Sequence, residues 1–291
     1  METAIQKASV LIEALPYIQS FRDRVVVIKY GGSTFGEDRP DASILRDVVF
    51  MAAVGMRPII VHGGGKHISK RLAAAGIESR FIQGLRVTDG EAIKIVEDVL
   101  VNDVNAGIVA ALREIGGIAT GLSGKTGRMV RVQRLQGVDD KGTRLDWGFV
   151  GSVTRVNPRP LFDEMLARRI PVVAPLGVDD DGAVYNVNAD TIASEIASSL
   201  TAEKLVYLTD VPGILRDPGD ADSLISTVRA GEVAALIAEG VISGGMLPKI
   251  EACLNALRNQ VHKTHIVSGR IEHSLLLEIF TDEGVGTQIV A

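Results

Sequence analysis

Short aliphatic runs punctuate the chain: Val25-Val26-Val27-Ile28, Pro58-Ile59-Ile60-Val61, Pro171-Val172-Val173-Ala174-Pro175, Lys204-Leu205-Val206-Tyr207-Leu208-Thr209-Asp210 and Thr264-His265-Ile266-Val267. Such unbroken apolar runs predict strands buried on both faces, as in a parallel sheet. Between them the apolar positions recur with helical spacing, over about 41–54, 66–75, 90–115, 188–200 and 230–238, and from the Gly244-Gly245 loop to about 259. Strands that alternate with helices predict an α/β fold with a mainly parallel sheet. Ahead of the first strand, Ala8, Leu11, Ile12, Leu15 and Ile18 form one face of an amphipathic helix over 3–21, which Pro16 is expected to kink or divide. The stretch 117–160 differs: Met129 to Leu135 alternates with period two and is followed by Gly and Asp, a pattern that predicts antiparallel hairpins at an edge. A turn at Asp179–Gly182 opens a second α/β unit, which divides the chain into an N-terminal helix (1–24), an N-terminal lobe (25–176) and a C-terminal lobe (177–291). No internal repeat, low-complexity tract or long flexible linker interrupts this plan.

Composition narrows the classes. In 291 residues, 46% are hydrophobic and 23% charged, the balance of a globular protein with a sizeable core and about two domains. The net charge of −5 disfavours nucleic acid and anionic membrane as partners, so any phosphate site must be local. The single cysteine, Cys253, can form neither an intrachain disulfide nor a thiolate metal cage, and reads as a small packed hydrophobe. No run approaches the ~18 apolar residues of a membrane span. Glu2, Lys7 and Glu13 interrupt the apolar core that a signal peptide needs, so a cytoplasmic location is expected.

Two loops share one design: a buried strand, consecutive glycines (Gly31-Gly32; Gly63-Gly64-Gly65), then a helix. Glycine lets backbone come close to a ligand, and the first amides of the helix face anions. Neither loop has dinucleotide-binding spacing, and Gly124-Lys125-Thr126 lacks the upstream P-loop glycine, Ala119 standing in its place. Lys29 closes a buried strand, where an ordinary lysine would cost too much to bury. Arg86 carries the fork that binds a carboxylate bidentately, with a surface salt bridge as the competing reading. Asp190 follows Asn188 at a helix start, where a capping role competes with a functional one. His262 and His265 lie near no carboxylate cluster or cysteine set, so no metal site built from side chains is expected.

Six motifs, in order, resemble the acetylglutamate kinases of the amino-acid kinase family: Lys29-Tyr30-Gly31-Gly32, Val61-His62-Gly63-Gly64-Gly65, Gly84-Leu85-Arg86-Val87-Thr88, Tyr185-Asn186-Val187-Asn188-Ala189-Asp190, Leu208-Thr209-Asp210-Val211-Pro212-Gly213 and Gly244-Gly245-Met246-Leu247-Pro248-Lys249. The resemblance implies a three-layer α/β/α sandwich. It implies that the N-terminal lobe binds N-acetyl-L-glutamate, that the C-terminal lobe binds ATP, and that the γ-phosphoryl group passes to the side-chain carboxylate on the route to arginine. By the same resemblance, Lys29 and Lys249 stabilise the transition state and Asp190 orients them. Gly64, Gly65, Arg86, Asn186 and Asn188 hold the acceptor, while Gly31, Gly32, Thr209, Asp210, Val211, Gly213, Gly245 and Met246 hold the nucleotide. Mg²⁺ arrives with ATP, held mainly by phosphates. A carboxylate acceptor is already ionised at pH 7, so no general base is needed.

Arginine-inhibited members carry a similar N-terminal helix and a similar ending over 273–287. The resemblance therefore implies a homo-hexamer, a trimer of dimers, with L-arginine near Tyr17, Glu283 and Gly286 as effector. The chain departs from the family pattern at Lys66, where many relatives carry proline, and at Ser33-Thr34-Phe35-Gly36. Lys66 adds charge beside the acceptor site. That leaves open a kinase for carrier-bound aminoadipate or glutamate, another member acting on aspartate, carbamate or a nucleotide, and a non-catalytic amino-acid sensor.

Overall fold

The computed structural model describes residues 2–31, 40–138, 141–281 and 284–291. Helix α1 (Glu2–Phe21) leads into β1 (Val25–Tyr30), α2 (Ala42–Ala53), β2 (Arg57–His62) and α3 (Gly65–Ala74). A hairpin, β3 (Phe81–Ile82) and β4 (Leu85–Arg86), precedes a long helical stretch: α4 (Ala92–Asp98), a π segment (Val99–Asn105) and α5 (Ala106–Glu114). Next come β5 (Ala119–Ser123), β6 (Val130–Arg134), β7 (Gly137–Val138), β8 (Arg144–Leu145), β9 (Gly151–Val156), α6 (Arg159–Leu166), β10 (Ile170–Ala174), β11 (Leu176–Val178) and β12 (Val184–Asn186). The chain ends with α7 (Ala189–Ser199), β13 (Lys204–Thr209), β14 (Thr227–Arg229), α8 (Val233–Ala238), α9 (Leu247–Arg258), β15 (Lys263–Ser268), α10 (Ser274–Phe280) and β16 (Thr287–Val290).

One eight-stranded sheet runs in the order β14-β16-β15-β13-β1-β2-β10-β5, and all its described pairings are parallel except β15 with β16. Side chains alternate across it and separate two cores. Val26, Ile28, Ile60, Val172, Val206 and Val267 pack with residues of α2, α4, α5 and α10. Val27, Ile59, Val61, Val173, Leu205 and Ile266 pack with residues of α6, α7, α8 and α9. The three-layer α/β/α sandwich is thus present. Cys253 is buried in the second core, where burial pushes its thiol up to about 12.

Two expectations change. Residues 119–123 do not form a hairpin; they run parallel to β10 and close the edge of the large sheet. The antiparallel pattern begins one strand later, where β6 pairs with β9 in a four-stranded sheet, β12-β11-β6-β9. A five-residue strand with a glycine at its centre carries too little periodicity to tell these alternatives apart. The second concerns α1: of the kink or division expected at Pro16, division does not occur, and the helix is single with Pro16 inside it. α1 rests on α10 through an edge-on contact between Tyr17 and Phe280, with ring centres 6.4 Å apart, and exposes Ile5, Val10, Ile12 and Leu15.

Candidate active site

Register carries the two glycine loops to one edge of the sheet. Lys29 pairs with Val61 on one side and Tyr207 on the other, so β1 and β2 end level and release Gly31 and Gly63 together, while β13 runs one residue further and releases Asp210. Ligands in open α/β sheets sit at this carboxyl edge. Alternation puts Lys29 on the same face as Val27, the face covered by α7 and α9. There it meets Asp190, in the first turn of α7, and Lys249, near the start of α9. Lys29 Nζ lies 2.8 Å from Asp190 Oδ1, and Lys249 Nζ lies 2.8 Å from Oδ2.

The competing cap reading for Asp190 is removed by Asn188, whose Oδ1 accepts from the amides of Asp190 (2.8 Å) and Thr191 (3.1 Å). The aspartate side chain is thereby left for the lysines, and Tyr207 Oη, donating to the Asp190 carbonyl at 3.1 Å, ties the turn to β13. All three charged side chains are largely buried, at 12%, 14% and 19% exposure for Lys29, Asp190 and Lys249. Burial would push the Asp190 carboxyl up, but the two ammonium groups outweigh it and hold it below the usual carboxylate range. Burial pulls Lys29 below its ordinary value; Asp190 opposes this and Lys249 adds to it. Two cations share one anion, so the cluster keeps one unit of positive charge.

Beside it lies a cavity of about 210 Å³, lined by Gly63, Gly64, Gly65, Arg86, Asn186 and Asn188 among others. Arg86 is 7% exposed. Its Nη1 donates to Ser79 Oγ (2.5 Å) and its Nη2 to the Gly65 carbonyl (3.0 Å) and Ser69 Oγ (2.8 Å). The guanidinium stands 4.7 Å from the centre of the Phe81 ring. Every one of these partners is neutral, and burial lowers the Arg86 pKa. A buried cation held only by dipoles and a ring is prepared for an anion.

The predicted acceptor residues are therefore brought together. The predicted nucleotide residues are arranged around the neighbouring strand ends: Thr209 is buried and donates to Asp210 Oδ1 at 3.2 Å, Val211 is 37% exposed, and Gly245 and Met246 form the turn that opens α9. Gly213 faces a neighbour: a Cβ there would fall 2.5 Å from Thr287 Oγ1. Gly32 and Glu283 lie outside the described residues, as do Ser33-Thr34-Phe35-Gly36. Lys66 is exposed and is absent from the cavity lining; Lys125 pairs closely with Glu97. Ser69, Ser79 and Phe81, which hold Arg86, went unread in the sequence; only the spacing of Ser69 four residues after Gly65, one turn along α3, hints at it.

A second buried charged cluster sits where β13 begins. Glu278 Oε1 accepts from His265 Nδ1 (2.7 Å), and its Oε2 accepts from the amides of Val285 (2.8 Å) and Gly286 (3.0 Å). His265 Nε2 in turn lies 3.2 Å from Lys204 Nζ. Burial pushes His265 down to about 4 and Lys204 down to about 8. A cavity of about 580 Å³ opens here between α1 and α10, with Tyr17, Lys204, His265, Glu278 and Gly286 in its wall.

Sheet edge, glycine loops and converging ammonium groups describe a site suited to an anionic ligand. The chain matches the amino acid kinase family over residues 24–268. It is 49% identical to the acetylglutamate kinase of Pelotomaculum thermopropionicum over 99% of both chains. Among solved structures it is similar to the N-acetylglutamate synthase of Neisseria gonorrhoeae complexed with coenzyme A and N-acetyl-glutamate: TM-score 0.82, 28% identity, covering 98% of this chain and 63% of the synthase. The same synthase complexed with coenzyme A and L-arginine gives a TM-score of 0.80 at 26% identity, covering 97% and 65%. The chain thus spans somewhat less than two thirds of the synthase's length. The chain belongs to the amino acid kinase family and, within it, to the acetylglutamate kinases.

Proposed function

We propose that the chain transfers the γ-phosphoryl group of ATP to the side-chain carboxylate of N-acetyl-L-glutamate, giving N-acetyl-L-glutamyl 5-phosphate and ADP. A carboxylate oxygen forms the new P–O bond as the bond to the β-phosphate oxygen breaks, and no proton is moved. Such a step needs alignment and cations where charge gathers. Lys29, next to the glycine loops, serves the acceptor side; Lys249, at the start of α9, serves the leaving phosphate; Asp190 orients both. Arg86 receives the α-carboxylate, Asn186 and Asn188 add polar contacts, and the first amides of α3, which have no acceptor within the helix, face the reacting carboxylate. The nucleotide lies along Gly31, Thr209–Val211 and Gly245–Met246.

Both Asp190 oxygens are taken by lysines. The donor set therefore fits a Mg²⁺ ion held by the phosphates and water, which would neutralise phosphate charge. The single observation that carries this reading is the Asp190 carboxylate held between lysines from two elements beside the Arg86 cavity. An ADP-release assay across N-acetylglutamate, glutamate, aspartate, aminoadipate and UMP tests it. Turnover with N-acetylglutamate alone is expected; preference for another acceptor, or none, overturns it.

The second cavity supports feedback inhibition by L-arginine. It offers a buried carboxylate, Glu278, for a cationic side chain and faces α1, whose exposed apolar positions suit pairing between copies in a ring of three dimers. Tyr17 and Gly286 line it, and Glu278 stands in the wall as the described acidic residue. No described helix is long and apolar enough to cross a membrane; a cytoplasmic place is part of this reading.

A further inference from the structure

The long helix after the hairpin is not regular. Between Val99 and Asn105 it widens into a π segment, a rare arrangement that is frequent at functional sites. Two of its residues reach the glycine loop. Leu100 closes on Gly64, where a Cβ would fall 2.6 Å from Leu100 Cδ2. Asn105, 4% exposed, faces His62, which is fully buried at the end of β2.

Their hydrogen bonds determine one another. Asn105 Nδ2 lies 2.9 Å from the Val172 carbonyl and 3.4 Å from the Leu122 carbonyl. Carbonyls only accept, so the amide nitrogen, not the oxygen, must face them. The same nitrogen is 3.0 Å from His62 Nε2, which is therefore the acceptor. An imidazole that accepts at Nε2 and is neutral carries its proton on Nδ1, and burial pushes His62 down to about 4, well into the neutral range. Nδ1 then donates to the Gly63 carbonyl at 2.8 Å. The Gly63 amide already donates to the Tyr30 carbonyl at 2.9 Å. Both peptide groups of Gly63 are thus held, one from β1 and one from the imidazole. Room for this network comes from Gly121, where a Cβ would fall 2.2 Å from Asn105 Oδ1.

We infer that Asn105, through the Nδ1–H tautomer of His62, is a positioning residue that fixes the Gly63 peptide and so aims the Gly64 and Gly65 amides at the acceptor. This rests on the proposed kinase reading but makes a claim that reading does not need. Neither side chain touches the cavity, so its effect must pass through the backbone.

The test has two arms. In the wild-type protein, side-chain ¹⁵N–¹H NMR of His62 should show a neutral imidazole protonated at Nδ1 and unchanged from pH 8 to pH 5. An Nε2–H tautomer, or titration near the ordinary histidine value, overturns the inference whatever the activity. Kinetically, Asn105→Ala should lower kcat by roughly tenfold or more, since losing an aligned donor at a reacting centre costs ~10²–10³. KM for ATP should stay within about twofold. Val109→Ala, one turn along the same helix, should lower Tm comparably and leave kcat unchanged. Equal kcat losses in both variants, or none in Asn105→Ala, would sink it. A wild-type chain without kinase activity would instead remove the kinase reading, leaving the NMR arm to decide the tautomer.

Discussion

Two buried charged clusters flank β13, one near each end, and they differ in charge balance. At its carboxyl end Lys29, Asp190 and Lys249 meet, with two cations for one anion and a glycine loop alongside. At its amino end Lys204, His265 and Glu278 meet, with the carboxylate shared between the imidazole and two backbone amides. The first cluster sets two ammonium groups against one carboxylate at the carboxyl edge of the sheet. The second holds a satisfied carboxylate in a cavity between α1 and α10, with Lys204 and Lys263 also in the wall. What separates them is strand direction: helices start at the carboxyl edge, with amides and a positive dipole end, whereas the amino edge has no such field. On the readings proposed above, one strand would join a phosphoryl-transfer site at one end to an effector site at the other.

The sharpest way to break this comparison is Lys29→Ala. Removing one cation from the surplus should lower kcat by ~10²–10³ with little change in KM, read by the ADP-release assay. Asp190→Asn should follow, with KM for both substrates kept and kcat reduced, because the lysines lose their orienting anion; an unchanged kcat would mean that Asp190 merely balances charge. Arg86→Lys should raise KM for acetylglutamate about tenfold or more, a charged hydrogen bond being worth ~1.5–3 kcal/mol, while a rise below about threefold would remove the bidentate grip.

At the other end of the strand, Glu278→Gln should weaken arginine inhibition and spare kcat. Deleting residues 1–22 should give active dimers that arginine does not inhibit, and a hexamer still inhibited after the deletion would refute the proposed role of α1.

The smallest effect concerns acid. His62 and His265 have folded values near 4, below the ordinary 6.5, so the unfolded chain takes up their protons first. Stability is therefore complete above about pH 6.5 and falls as pH drops towards 4, by up to ~1.4 kcal/mol per pH unit for each histidine. Denaturant titrations across that window should show proton uptake on unfolding that approaches two; uptake near zero would place both imidazoles in water.

Much of this was legible from local pattern. Runs such as Val25–Ile28 announced buried strands, Lys29 stood out because lysine is costly at the end of such a run, and Asn188-Ala189-Asp190 marked a helix start. The residues that hold the site were not legible. Ser79 and Ser69 reach Arg86 from different elements, and Asn105 meets His62 across 43 positions in the sequence. No periodicity records such contacts, because they depend on how one helix is rotated over the sheet. The π turn was equally silent, since 90–115 has the spacing of an ordinary helix.

By itself, then, the sequence determined strands, helices, glycine loops and charged residue types, because these follow from burial period and backbone freedom over a few neighbours. Tertiary structure alone decided that both lysines share one carboxylate, that Arg86 lies among neutral partners, and that 119–123 joins the large sheet. Those outcomes depend on register and packing between distant segments, where the direction of a side chain is set by what lies across from it.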